Sequence, residues 1–341
     1  MEYLIDRLKD YLGGCQGRIV DLKDIRVVLE IKPGSKEDTL LRSHMSKTLV
    51  VERIVVPSGR NDGFYKVVKQ AHPVRVFMPN RERSPVFDLL WPVDRKRDCE
   101  MEIGEAIVVR EGDLITIGGV KSKGKTALCL NIIARNIDKS PVLMGNEYTI
   151  LSGGKFEPAP RFLNRLDAMS SWVSWVNDEG YDKFVLLPVR EDYAEHIYRD
   201  RINVIDWINL DGDRSYDISK VLESIKAAVG RGVGIAVTQK GEGTVNARGG
   251  QFVRDFSDVE ILLDGYGDYD DDVLLTVKGC KEKTSPIVGR TYAYRLVNQG
   301  TEIWDFREVK KCPQCRGTGY TRGGTCDGCS GRKFVDKEKL L

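Results

Sequence analysis

Residues 118–127 read GGVKSKGKTA. Gly119, Gly124, Lys125 and Thr126 within them satisfy G-x-x-x-x-G-K-[ST], the spacing at which a loop can wrap a phosphate. Backbone N–H groups of such a loop surround a β-phosphate, and the following helix N-terminus favours its negative charge. Lys125 would then reach the β- and γ-oxygens of ATP, and the Thr126 hydroxyl would ligate Mg²⁺. Val120, Lys121, Ser122 and Lys123 complete the loop and Ala127 carries it into the helix. The lysines at 121 and 123 are read as pointing to solvent.

Three polar residues close otherwise apolar strands. Asp206 in INVIDWINL is a lone carboxylate suited to holding Mg²⁺ through water, or to capping the next turn. Glu147, at the tip of PVLMGNE, could polarise an attacking water. Gln239 ends GIAVTQ with an amide that could sense a γ-phosphate. After it runs KGEGTVNARGGQFVRDF, a glycine-rich stretch with Lys240, Arg248 and Arg254. It reads, on its residues alone, as a flexible surface loop.

A second chemistry sits near the C-terminus. Cys312, Cys315, Cys326 and Cys329 form two C-x-x-C knuckles, a spacing that closes one tetrahedral S₄ site for structural Zn²⁺. Gly317 and Gly331 follow the knuckles at equal offsets and let the backbone turn toward the sulfurs. Arg316, Tyr320 and Arg322 between the knuckles suit nucleic acid, but a protein-docking or purely structural knuckle fits as well. Cys15, Cys99, Cys129 and Cys280 are scattered and read as small apolar residues.

These groups need a scaffold. From 111 to about 305, apolar strands alternate with amphipathic helices, which predicts an α/β fold with a mostly parallel sheet flanked by helices and an antiparallel late edge. The helices are expected at KTALCLNIIARN, at PRFLNRLDAMSSWVSWV and at ISKVLESIKAAV. Residues 1–75 read as three helices and a hairpin, with Ser35 and Asp38 as a capping box and Leu40, Leu41, Met45 and Leu49 as an apolar face. That order is similar to a winged-helix (α+β) domain, in which Lys36, Arg42, His44 and Lys47 would face duplex DNA and Arg60 would sit on the wing. A protein-docking three-helix domain is the other reading. Residues 76–104 read as a linker, 105–306 as the nucleotide domain and 307–341 as the four-cysteine zinc segment.

Charge is laid out unevenly. Residues 1–75 hold 14 Lys+Arg against 10 Asp+Glu, residues 307–341 hold 9 against 4, and the middle holds 30 against 37. Basic ends around an acidic centre suit a polyanion partner or are solvated faces. No apolar run approaches the roughly 20 residues of a membrane span, and MEYLIDRLKD lacks a signal-peptide layout. A cytoplasmic setting is expected.

The order GGVKSKGKT, Glu147, IDWINL and TQK resembles the RecA-type P-loop ATPases, within them the DnaB-like replicative helicases of phages and mobile elements, over roughly 105–305. The four-cysteine stretch resembles the C-x-x-C-x-G-x-G units of DnaJ-type zinc domains. The first resemblance implies a RecA-like sheet, ATP and Mg²⁺ as ligands, and Glu147, Lys125, Gln239 and Lys278 as catalytic residues. It also implies that Lys240, Arg248 and Arg254 on the loop after Gln239 contact single-stranded or forked DNA, that replication proteins are further partners, that copies form a hexameric ring, and that a phage-encoded chain would work in the bacterial host cytoplasm. The DnaB-like pattern carries Lys-x-Arg on a late strand that reaches the neighbour's ATP. Lys278 matches the Lys, while Cys280 occupies the Arg position and Lys281 or Lys283 would have to substitute. The expected function is a DNA helicase-type motor. The alternative is a site-specific DNA-binding ATPase that loads a helicase or regulates recombination. A strand-exchange recombinase and an ATP-gated signalling protein fit less of the chain.

Overall fold

The computed structural model describes residues 2–59, 63–69, 85–145, 147–208, 217–267 and 269–340. The chain forms two compact units, Met1–Arg81 and Glu82–Leu341. Among the described residues no helix is long and apolar enough to cross a membrane.

The first unit runs α1 (Glu2–Gly13), β1 (Ile19–Asp21), α2 (Leu22–Val28), α3 (Lys36–Ser43), a π-turn (His44–Thr48), α4 (Leu49–Val51), β2 (Val55–Pro57) and β3 (Phe64–Val67). β3 pairs antiparallel with both β1 and β2. The three helices and the hairpin are those expected, with β1 added as a third strand. Leu4, Leu8 and Leu12 stack on one side of α1 and meet Ile25, Leu41, Met45 and Leu49 in a single core. Ser35 caps α3 by accepting from the Asp38 amide at 3.1 Å. The Asp38 carboxylate reaches back to the Gly34 amide at 2.9 Å and binds Arg26 at 2.7 Å, so it closes the turn rather than the cap residue itself.

The second unit is one twelve-stranded sheet with helices on both faces. Its strands begin with β4 (Val93–Asp94), β5 (Cys99–Glu100), β6 (Leu114–Gly119) and β7 (Val142–Met144). β8 (Thr149–Ser152) and β9 (Lys155–Pro158) form a separate hairpin. β10 (Val185–Leu187), β11 (Ile202–Ile205), β12 (Val233–Gln239) and β13 (Val259–Gly265) follow, then β14 (Asp272–Cys280), β15 (Thr291–Val297) and β16 (Glu302–Lys311). The helices are α5 (Ile103–Ala106), α6 (Lys125–Arg135), α7 (Pro160–Met169), α8 (Ile218–Ala228) and α9 (Gln251–Phe256). Strands β10-β7-β11-β12-β6-β13 are parallel in that spatial order, and β14, β15 and β16 extend the sheet antiparallel. Strand side chains alternate between faces. Ile115, Ile117, Leu143 and Val204 pack with α6 and α7, whereas Leu114, Val142, Met144 and Ile205 pack with α8 and α9.

Three expectations change. Two strands of the sheet, Val93–Asp94 and Cys99–Glu100, lie in the stretch read as linker: Asp94 pairs with Ile303 of β16, and its carboxylate accepts the Phe306 amide at 2.9 Å and the Asp305 amide at 3.2 Å. Those bonds span more than 200 residues, so local periodicity could not reveal them. α7 stops at Met169, and the Trp175 indole folds back to donate to the Leu166 carbonyl at 3.0 Å. The boundary drawn at 306/307 falls inside β16, and the four-cysteine segment joins the sheet. After β17 (Tyr320–Thr321) and β18 (Gly324–Thr325), β19 (Phe334–Asp336) returns to pair with β16.

Candidate functional site

The phosphate loop bridges β6 and α6. Nine of the eleven α6 residues are buried, so the helix is embedded nearly all round and its N-terminus is fixed in place. Ser122 and Gly124 take φ of +62° and +76°. A β-carbon on Gly124 would stand 2.9 Å from Leu296, so left-handed backbone and close packing both call for glycine there. The Lys125 ammonium donates to the loop's own carbonyls, at 2.9 Å to Gly119 and 2.8 Å to Val120. Burial pushes the Lys125 amine below its ordinary value, and the Asp206 and Glu147 carboxylates partly offset this.

Asp206 directly follows β11 and lies one strand beyond β12 from the phosphate loop. Its Oδ2 accepts from the Thr126 hydroxyl at 2.7 Å and from the Tyr148 hydroxyl. Its Oδ1 is buried without a hydrogen-bond partner, as is Thr238 Oγ1 near the end of β12. Burial raises the Asp206 carboxyl above its ordinary value, and the Tyr148 and Thr126 donors pull it back. Burial also pushes the Tyr148 phenol well up, which keeps it a donor. A carboxylate with one oxygen held by Thr126 and the other orphaned fits a hydrated Mg²⁺ beside the threonine. Gly145 shows how tightly the strand tips meet: a β-carbon there would fall 1.9 Å from the Asp206 carbonyl.

Glu147 stands exposed at the tip of β7, near enough for its charge to act on Lys125 and Asp206. Gln239 is half-buried and in register with Gly119. The loop after it closes at its base, where the Arg248 amide donates to the Gln239 carbonyl at 2.7 Å and the Lys240 amide to the Gly119 carbonyl at 2.9 Å. Lys121 is exposed, whereas Lys123 is not solvent-directed: its ammonium binds Asp270 at 3.1 Å.

The predicted cations of this region divide. Arg248 is exposed on the loop. Lys240 is buried and its ammonium is paired with Asp264, so it is withdrawn from the set of DNA contacts. Arg254 lies on α9, with Nη2 donating to the Lys278 carbonyl at 3.3 Å and Nε 3.7 Å from the buried Glu260. Lys278 is half-buried on β14, Lys281 is committed to Asp258 at 2.9 Å and Lys283 is exposed. In the first unit Lys36, Arg42 and Lys47 are exposed along the α3 helix and π-turn, with Arg42 3.6 Å from Asp38. His44 is half-buried and its Nδ1 is 3.3 Å from the Thr48 hydroxyl. Arg60 lies outside the described residues.

Sequence reasoning missed Tyr148 and Tyr294. Tyr148 directly follows Glu147, a signal overlooked beside the carboxylate. Tyr294 is fully buried with an unpartnered hydroxyl, which would lie 3.6 Å from a β-carbon on Gly124. A polar tip in the otherwise apolar strand TYAYRLV was the available clue.

The four C-terminal cysteine sulfurs are buried and lie within 4.8 Å of one another. Cys312 and Cys326 are 3.8 Å apart, Cys315 and Cys329 3.6 Å. A tetrahedral site with Zn–S of about 2.3 Å sets its sulfurs about 3.8 Å apart, so the cluster fits Zn²⁺. Both knuckles turn alike: Arg316 and Gly317 have φ of +52° and +83°, Ser330 and Gly331 +48° and +79°. The Gly319 amide points at Cys315 Sγ at 3.3 Å.

No protein-family model matches the chain, and no curated protein sequence matches it. Among solved structures it is similar to the RadB recombinase, 17% identical, over 57% of this chain and 91% of that one, with a TM-score of 0.41. It is similar to a KaiC-like protein from Pyrococcus horikoshii, 15% identical, over 65% and 100%, TM-score 0.45. It is also similar to a DnaB-like replicative helicase, 12% identical, over 57% and 59%, TM-score 0.41.

Proposed function

We propose that the chain is an ATP-hydrolysing, DNA-binding motor subunit of the helicase type, acting as a ring of copies in phage or mobile-element replication. One observation carries the reading: Thr126 of α6 and Asp206 at the end of β11 meet at 2.7 Å, with the charges of Lys125 and Glu147 acting on Asp206. That is the constellation nucleotide hydrolysis needs.

ATP would draw the Lys125 ammonium off the Gly119 and Val120 carbonyls and onto the β- and γ-oxygens. Thr126 and, through water, Asp206 would hold Mg²⁺, which would supply charge neutralisation for the transferred phosphoryl group. Glu147, the exposed carboxylate, orients the attacking water and takes its proton. Gln239 meets the γ-phosphate and passes its loss to the loop of residues 240–250. The Arg248-Gly249-Gly250 triplet on that loop supports a contact to a DNA backbone. Lys36, Arg42 and Lys47 support a duplex contact by the first unit, and the four-cysteine cluster supports a structural Zn²⁺.

A second reading is supported by Cys280. The residue two beyond Lys278 is not an arginine, and Lys281 is held by Asp258. A site lacking that arginine suits an ATPase that loads another helicase. Fork unwinding by wild type and Lys125→Ala, with particles imaged in an ATP analogue, separates the two. Rings that unwind only with functional Lys125 support the motor. Tight duplex binding without unwinding supports the loader.

A further inference from the structure

The four-cysteine knuckle carries more charge than a structural staple needs. Residues 310–333 hold six Lys and Arg against one acid, Asp327. Lys311, Arg316, Arg322 and Lys333 are exposed and make no ion pair among the described residues. Tyr320 lies between them in sequence and is 65% exposed.

The fold gathers these groups through two glycines. A β-carbon on Gly317 would stand 3.2 Å from the Lys311 side chain, and one on Gly319 would stand 3.3 Å from that of Lys333. Two lysine stems therefore lie against the Arg316–Tyr320 segment. The register of β16 and β19 sets Lys311 opposite Phe334, beside Lys333. Cations flanking an open aromatic ring are what a single strand needs, since the phosphates are neutralised while a base stacks.

The knuckle is also fixed to the nucleotide sheet. Phe334 packs with Tyr266, Leu274 and Val309, and Arg307 binds Asp336 at 2.7 Å. The Arg332 guanidinium lies 6.0 Å from the Tyr266 ring centre. Tyr266 immediately follows Gly265 of β13, where a β-carbon would stand 3.1 Å from the Lys123 side chain of the phosphate loop. A strand held on the knuckle is thus held on the body that carries the phosphate loop.

We propose that the exposed face formed by Lys311, Arg316, Tyr320 and Lys333 is a docking surface for single-stranded DNA. The choice of DNA rests on the function proposed above. The test is fluorescence anisotropy of the full chain with an oligothymidylate across a salt series. Lys311→Ala/Arg316→Ala/Lys333→Ala is expected to weaken binding at least tenfold and to flatten the log–log salt slope by about two. Tyr320→Ala, at a more open position, is expected to weaken binding about five- to a hundredfold with the slope unchanged. Zinc content should stay at one equivalent, and hydrolysis without DNA should stay at the wild-type rate. Unaltered affinity and slope in both variants would overturn this inference alone. Wild type that binds no single strand would overturn it together with the proposed function. Tenfold preference for RNA or duplex would overturn the commitment to single-stranded DNA.

Discussion

The Tyr148 hydroxyl donates to Asp206 Oδ2, the same oxygen that accepts from Thr126. The tyrosine ring is held edge-on against Phe162 with centroids 4.9 Å apart, so the hydroxyl is aimed rather than mobile. Removing only the hydroxyl leaves the ring packing but takes away a donor that aims the Asp206 carboxylate and helps to keep it ionised. Tyr148→Phe should therefore raise the Mg²⁺ concentration for half-maximal hydrolysis several-fold, with KM for ATP nearly unchanged at saturating Mg²⁺. A hydrogen bond to a charged group contributes about 1.5–3 kcal/mol, which bounds the effect. A Mg²⁺ titration of hydrolysis, paired with Mg²⁺-dependent nucleotide binding, checks it. An unchanged Mg²⁺ requirement would make Tyr148 a packing residue only.

Lys240 and Asp264 give the next prediction. Their pair is buried on the lysine side and partly open on the aspartate side. Lys240→Ala should destabilise the sheet by less than the roughly 3–5 kcal/mol of a fully buried pair. It should leave the salt slope of DNA binding unchanged. Arg248→Ala should do the reverse, with little change in thermal midpoint and a slope shallower by about one. Melting and salt titration of the two variants separate structural from DNA-facing cations.

What was legible in the sequence was local. The phosphate loop, Asp206 and the two cysteine knuckles each sit in one short stretch, and the fold joins Asp206 to Thr126 and gathers the four sulfurs within 4.8 Å of one another. What stayed hidden was pairing across distance. Nothing near Lys240 announces Asp264, and nothing near Asp94 announces the β16 amides that its carboxylate receives. The β8–β9 hairpin was missed for a different reason: Ile150, Leu151 and Phe156 are exposed, so the stretch lacks the alternation of a half-buried strand.

Asp38 makes the first unit sensitive to acid. The Gly34 amide and the Arg26 guanidinium hold its carboxyl below the ordinary value. A lowered value in the folded state means stability that is present above the ordinary carboxylate range and lost as pH falls through the folded value. Asp38→Asn should cost about 1–3 kcal/mol at neutral pH, and its difference from wild type should vanish under strong acid. Amide protection in α2 and α3, corrected for intrinsic exchange, reads this out.

Zinc removal should act locally. A strong chelator is expected to withdraw about one equivalent and loosen β17, β18 and β19, while α6 and the parallel strands keep their amide protection. The reason is that the knuckle contributes only β19 to the sheet. Purified protein holding under about half an equivalent of zinc would contradict the metal assignment.

The central claim is that this phosphate loop hydrolyses ATP in response to DNA. Its most direct test is the steady-state hydrolysis rate of wild type and Lys125→Ala, with and without single-stranded or forked DNA. DNA should stimulate wild type severalfold, and Lys125→Ala should lose at least a hundredfold, since without the lysine the γ-phosphate charge has no ammonium partner. Hydrolysis that no DNA stimulates, or that survives the loss of Lys125, would contradict it.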